Sequence, residues 1–189
     1  MTNDVDFGTI INRATNLWKG NFGTLVLVSL VFLLVVWIPV ANVAFVAGYT
    51  RAILKVARGE KAEVGDLFRA WDCFGDLFVY LLLVILAQFA VNHLPLLGQL
   101  AGFVLSVVVA PGMFGIIDRQ MKFMDAFRWS LQQIQGDLVG WLLAVLIGSI
   151  FISVGALLLG IGIIMTLGWG SLVMALQYDK GEAPRVIIL

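Results

Sequence analysis

The sequence predicts an all-α membrane protein: six transmembrane helices arranged as three pseudo-repeated hairpins, each preceded by an amphipathic interfacial helix. Three observations carry this expectation. First, 61% of the 189 residues are hydrophobic and 13% are charged, with a mean hydropathy of +1.00. A soluble domain is about half apolar and about a quarter charged, and a chain of this size has too little interior to hide the excess. Second, the charges are clustered, leaving two long intervals without Asp, Glu, Lys or Arg. Third, the residues flanking those intervals recur at a nearly constant offset. Lys plus Arg and Asp plus Glu count 12 each, so there is no basic excess to attract nucleic acid. The composition also excludes a cytosolic enzyme and a disordered tail.

The charge map sets the spans. Asp76 and Asp118 enclose 41 uncharged residues, and so do Asp137 and Asp179. A spanning helix needs about 20 residues for a ~30 Å core, so each interval reads as two spans and a tight turn. Asn92-His93-Leu94-Pro95 and the stretch from Ser153 to Gly162 supply the turn signals. Lys19 and Arg51 enclose only 31 residues, with Pro39 and Asn42 near the centre. Two helices fit there if Arg51 and Lys55 snorkel to the headgroups; a single long span or a re-entrant hairpin is the alternative. The predicted spans are 21–38, 41–57, 77–93, 97–116, 138–154 and 160–177. The charged segments then share one side of the bilayer. Because Lys and Arg favour the cytoplasmic side, both termini are expected in the cytoplasm. Asp4 and Asp6 make the N-terminus acidic, unlike a signal peptide, so the first span reads as retained.

The same landmarks divide a single integral membrane domain, 1–189, into pseudo-repeats 6–61, 62–121 and 122–182. Gly75-Asp76-Leu77 falls on Gly136-Asp137-Leu138 at an offset of 61, as does Asp118-Arg119 on Asp179-Lys180. Asp66-Leu67-Phe68-Arg69 resembles Asp125-Ala126-Phe127-Arg128, and Gly20-Asn21-Phe22 occupies the corner of the first unit. Each unit opens with apolar residues at helical spacing: Phe7, Ile10, Ile11 and Ala14; Val64, Leu67, Phe68 and Trp71; Met124, Phe127, Leu131 and Ile134. This is the pattern of a helix lying in the headgroup plane, or of one packed on a neighbour. Trp18, Trp71 and Trp129 are the expected interfacial anchors. The hairpin corners are Gly20 with Asn21, Gly75 with Asp76, and Gly136 with Asp137; there glycine eases the turn and Asn or Asp caps the incoming helix.

Pro111-Gly112, Asp118-Arg119, Asp125-Ala126-Phe127-Arg128-Trp129-Ser130, the Gly155 to Gly162 turn and Tyr178 together resemble a known group. So do Gly48-x-x-Arg51, Arg58-Gly59-Glu60 and Asp66-Leu67-Phe68 upstream. The group is the multi-pass bacterial membrane proteins of the YciC-like or glycerophosphoryl diester phosphodiesterase membrane-domain-like type. The resemblance covers most of the chain through loose motifs. It implies a multi-pass fold in the bacterial cytoplasmic (inner) membrane and no activity. The chain departs from the group at Thr166-Leu167-Gly168, where relatives often carry a proline.

Residues that carry chemistry are sparse. The single cysteine, Cys73, and the single histidine, His93, have no companions that would make a metal or nucleophilic site. No HExxH, P-loop or GxSxG pattern occurs, and no cofactor is expected. Asn42, Gln88 and Asn92 are the candidate polar intramembrane residues, serving either a small polar site or helix-helix hydrogen bonds. Gly48, Gly98, Gly102 and Gly140 lie on small-residue faces suited to close helix packing. The expected function is a non-enzymatic integral membrane scaffold or accessory subunit, oligomeric and membrane-shaping. Its expected partners are membrane lipid and either further copies of the chain or another membrane protein, with no nucleic acid. The alternative is a small transporter or lipid-translocating protein, favoured by the internal repeat.

Overall fold

The computed structural model describes residues 7–93, 98–157 and 161–180; the predicted turn residues Leu94 and Pro95, and both chain ends, lie outside this set. Every regular element among the described residues is helical. In chain order they are α1 (Phe7–Gly20), α2 (Phe22–Val35), α3 (Ala41–Ala57), a 3-10 turn (Val64–Phe68), α4 (Phe74–Asn92), α5 (Gly98–Arg119), α6 (Phe123–Gly136), α7 (Leu138–Leu157) and α8 (Ile161–Lys180).

Three of these helices are long and apolar enough to cross a membrane: α4, α5 and α7. The number rises to four if α1 and α2, which meet at 87°, form one broken span. The expectation of six is therefore corrected, for reasons of length and surroundings. At 1.5 Å per residue the 14 residues of α2 reach about 21 Å, short of the ~30 Å core. α3 has 17 residues and carries Arg51 and Lys55 in its second half. α8 has 20 residues, among them Gly168, Gly170, Ser171 and Gln177, and does not qualify over its described residues. It tolerates them because it sits at the centre, packed against α1, α2, α3, α5 and α7. Its Leu172, Val173, Ala175, Leu176 and Gln177 are buried. A helix wrapped in protein needs no lipid-compatible surface.

The expected leading helices also differ from one another. α1 turns part of its apolar face inward: Ile10 and Ala14 are buried, and the helix packs on α8. α6 keeps Met124, Phe127 and Leu131 exposed and buries Ala126, Ser130 and Ile134 instead. The second amphipathic helix is absent. Its place is taken by the five-residue 3-10 turn, set by a capping box between Glu63 and Asp66. Glycine at position 65 and the diversion of Asp66 toward Lys55 both weaken an α-helix there.

α5 runs through Pro111 without a break, although proline removes a ladder hydrogen bond. Two neighbours engage backbone groups on the adjoining rungs. The Gly112 N–H donates to Ser130 Oγ of α6 at 3.0 Å, and the Ser130 hydroxyl donates to the Val108 carbonyl. A regular helix would pair that N–H and that carbonyl directly; the hydroxyl is spliced between them. The Tyr80 hydroxyl of α4 donates to the Val109 carbonyl at 2.8 Å. Hydroxyls commonly satisfy backbone groups around a proline in apolar surroundings.

Candidate functional site

The helix ends bearing charge converge on a shared polar hub. Arg58, just past α3, forks between Asp118 of α5 (2.7 and 2.8 Å) and Asp179 of α8 (2.8 and 3.3 Å). Glycine at 59, with φ +81°, turns the chain immediately after it. The Tyr178 hydroxyl donates to Asp118 Oδ2 at 3.0 Å, an oxygen it shares with Arg58. Arg119 lies 4.9 Å from the Trp129 ring centre, a cation–π distance. Hydrogen bonding to Asp118, reinforced by Asp179 and opposed by burial, raises the Arg58 pKa further above its ordinary value.

Two further pairs flank the hub. Arg51 forks onto both oxygens of Asp72 at 2.7 Å and also donates to the Ile117 carbonyl. Gln120 donates to the same Asp72. Lys55 pairs with Asp66 at 2.7 Å. Thus Arg51 and Lys55 bind protein carboxylates where the sequence reading had them reaching headgroups. The Arg51 guanidinium holds the Asp72 carboxyl below the usual range, against burial. Burial pushes Asp66 up, but hydrogen bonds from Lys55 and the Glu63 N–H outweigh it and the net shift is down.

The three corners do three different jobs. Asp137 caps α7 through the Gly140 N–H at 3.0 Å, and it also accepts from Gln177 and Lys180 of α8. Burial raises its pKa and these bonds more than reverse that. Asp76 accepts from the Phe123 N–H and so caps α6, not its own helix. The Asn21 amide donates back to the Leu17 carbonyl, closing α1 instead of opening α2. A methyl group at Gly20, Gly75 or Gly136 would meet nothing, and none of the three has the positive φ that favours glycine. The corner glycines are therefore not required by the turn.

Packing needs glycine elsewhere. A Cβ at Gly48 would strike the Leu67 backbone, one at Gly112 the Tyr80 hydroxyl and Ala126 carbonyl, and one at Gly140 the Asp137 carboxylate and Gln177 amide. Gly98 and Gly102 are buried in α5.

The tryptophans occupy unlike places. Trp71 is about half exposed beside Phe45 and Phe74. Trp18 donates its indole N–H to the Met165 carbonyl of α8 at 3.0 Å, and Trp129 packs against Tyr178 and Gly115. Trp37, unremarked in the sequence reading, is 82% exposed at the α2–α3 connection. It follows helix α2 and precedes Val40, whose φ is +67°, unusual for a β-branched residue.

Asn42 and Gln88 are both part-buried, on α3 and α4, and no hydrogen bond brings them together. The Asn92 side chain lies outside the described residues. Cys73 is buried, and burial pushes its thiol pKa up, so it stays protonated at neutral pH. His93 is exposed with its ring edge on Phe89.

The sequence reading did not foresee the hub. Its only signal was that Arg58, Asp118 and Asp179 stand at matching ends of the proposed units. No family model, curated protein or solved structure matches the chain.

Proposed function

We propose that the chain is an integral membrane scaffold or accessory subunit, resident in a bacterial cytoplasmic membrane. The carrying observation is where the charge goes. Arg51, Lys55, Arg58, Asp66, Asp72, Asp118, Asp137, Asp179 and Lys180 are tied to one another across elements, while apolar residues of α4 and α7 face outward. Such a molecule spends its reactive groups on holding helices together and presents hydrocarbon-compatible surface to lipid or to other membrane proteins. No group of three or more His, Cys, Asp or Glu that could hold a metal ion lies among the described residues.

The reading includes three related units. Its support is cyclic packing: the 3-10 turn lies on α3, α6 on α5, and α1 on α8. Each leading segment thus packs on the second helix of the preceding unit, the first closing on the last. The YciC-like or phosphodiesterase-membrane-domain-like resemblance fits the same reading, since Pro111-Gly112 and Ser130 of its motifs meet in space. Convergence of the charged ends supports placing that end, and both termini, in the cytoplasm.

The test is assembly state in nanodiscs or mild detergent, by light scattering and negative stain. A regular oligomer or a stoichiometric complex is expected. A stable monomer that moves lipid or solute in liposome assays would replace the scaffold with the transporter.

A further inference from the structure

Between α1, α7 and α8 lies a cavity of about 770 Å³. Its walls include Ile11 and Trp18 of α1, Ile147 and Phe151 of α7, and Met165 and Trp169 of α8. The polar side chains lining it are already engaged. Thr15 donates to the Ile11 carbonyl and accepts the Trp169 indole N–H; Trp18 donates to the Met165 carbonyl, and Thr166 to the Gly162 carbonyl. A ligand there finds hydrocarbon contact and no donor to satisfy it.

The volume falls within the roughly 300–1,000 Å³ of small-molecule sites. Water is a poor occupant, because an ordered water needs roughly two to four polar partners and the polar groups here are already engaged. The rim residues Ile150, Phe151 and Met165 are exposed, and they continue the outward face of α7, which also bears Leu142, Leu146 and Val154. Since α7 is long and apolar enough to span, the mouth opens onto lipid tails. A second cavity, of about 340 Å³, repeats the construction between α4, α5 and α6, with Phe127 and Met124 of the amphipathic helix as its cover.

We propose that the α1–α7–α8 cavity binds one acyl chain of a membrane phospholipid, with α1 as its outer wall. The site reads the chain and ignores the headgroup. This needs only that α7 spans the membrane, not that the protein is a scaffold, and assembly state does not bear on it.

The test uses the full chain in nanodiscs doped with a phospholipid carrying a diazirine on one acyl chain. After illumination, crosslinked peptides are mapped by mass spectrometry. Crosslinks are expected on residues 11–18 of α1 and 165–169 of α8, with equal yield for phosphocholine and phosphoglycerol headgroups. Ile147→Trp, which narrows the cavity at its α7 wall, should weaken them and leave crosslinks on Leu142 and Leu146 unchanged. Thr15→Asp, which places a charge in the cavity from a part-exposed position, should do the same and carries the test if Ile147→Trp does not fold. Crosslinks confined to the outer face of α7 would overturn the proposal. So would crosslinks of undiminished yield in both folded variants, or crosslinks that depend on the headgroup.

Discussion

Removing Arg58 tests whether the hub holds the helices together. Its guanidinium makes four contacts of 2.7–3.3 Å to two carboxylates. The side chains of Arg58, Asp118 and Asp179 are 26%, 13% and 22% exposed. Exposed pairs are worth about 0.2–1 kcal/mol, whereas breaking a buried pair costs about 3–5 kcal/mol. The hub lies between these limits. Arg58→Ala also leaves Asp118 and Asp179 near one another without the cation between them. We therefore expect a loss of about 2–3 kcal/mol, or roughly 30- to 150-fold in the unfolding equilibrium. Arg58→Lys keeps the charge but cannot fork and should lose about half as much. The assay is unfolding in mixed micelles of rising SDS fraction, followed by tryptophan fluorescence. A double-mutant cycle of Arg58→Ala with Asp179→Asn should give a coupling of about 1 kcal/mol. A loss under about 0.5 kcal/mol for Arg58→Ala, typical of surface changes, or strict additivity in the cycle, would refute the hub as a structural joint.

Three more outcomes follow from the geometry. Ser130→Ala removes the hydroxyl spliced into α5 and should cost about 1–3 kcal/mol, the range for stranding buried polar groups; an unchanged unfolding midpoint would mean that Gly112 and Val108 simply re-pair. Gly48→Ala and Gly112→Ala should each cost about 1–3 kcal/mol by overpacking, while Gly20→Ala and Gly75→Ala should be neutral; equal effects at all four positions would refute the assignment of close contacts. Asp66, Asp72 and Asp137 have folded pKa values below the ordinary carboxylate range. Their contribution is complete above the unfolded value of about 3.9 and is lost as pH falls through the depressed folded values. The unfolding midpoint should accordingly hold from about pH 5 to 8 and drop below about 4; a fall between pH 7 and 5 would require other titrating groups.

Local hydropathy determined a good deal by itself. Predicted spans 77–93, 97–116 and 138–154 coincide with α4, α5 and α7, because a long charge-free apolar run has one stable form in lipid, a helix with its backbone paired internally. The Asp137 cap was legible too, since capping acts within one turn. Tertiary structure decided what sequence periodicity leaves degenerate. An apolar stripe looks the same whether it meets lipid or protein, so α1 and α6 share a pattern yet α1 packs on α8 while α6 exposes Met124 and Phe127. α8 accommodates Gln177 and its glycines because other helices surround it. The partners of Arg51, Lys55 and Arg58 also lay beyond local reach: Arg58 and Asp179 are 121 residues apart. A charge near a membrane lowers its energy by finding either a headgroup or a carboxylate, and only the folded arrangement places Asp72, Asp66 and Asp118 close enough to decide it.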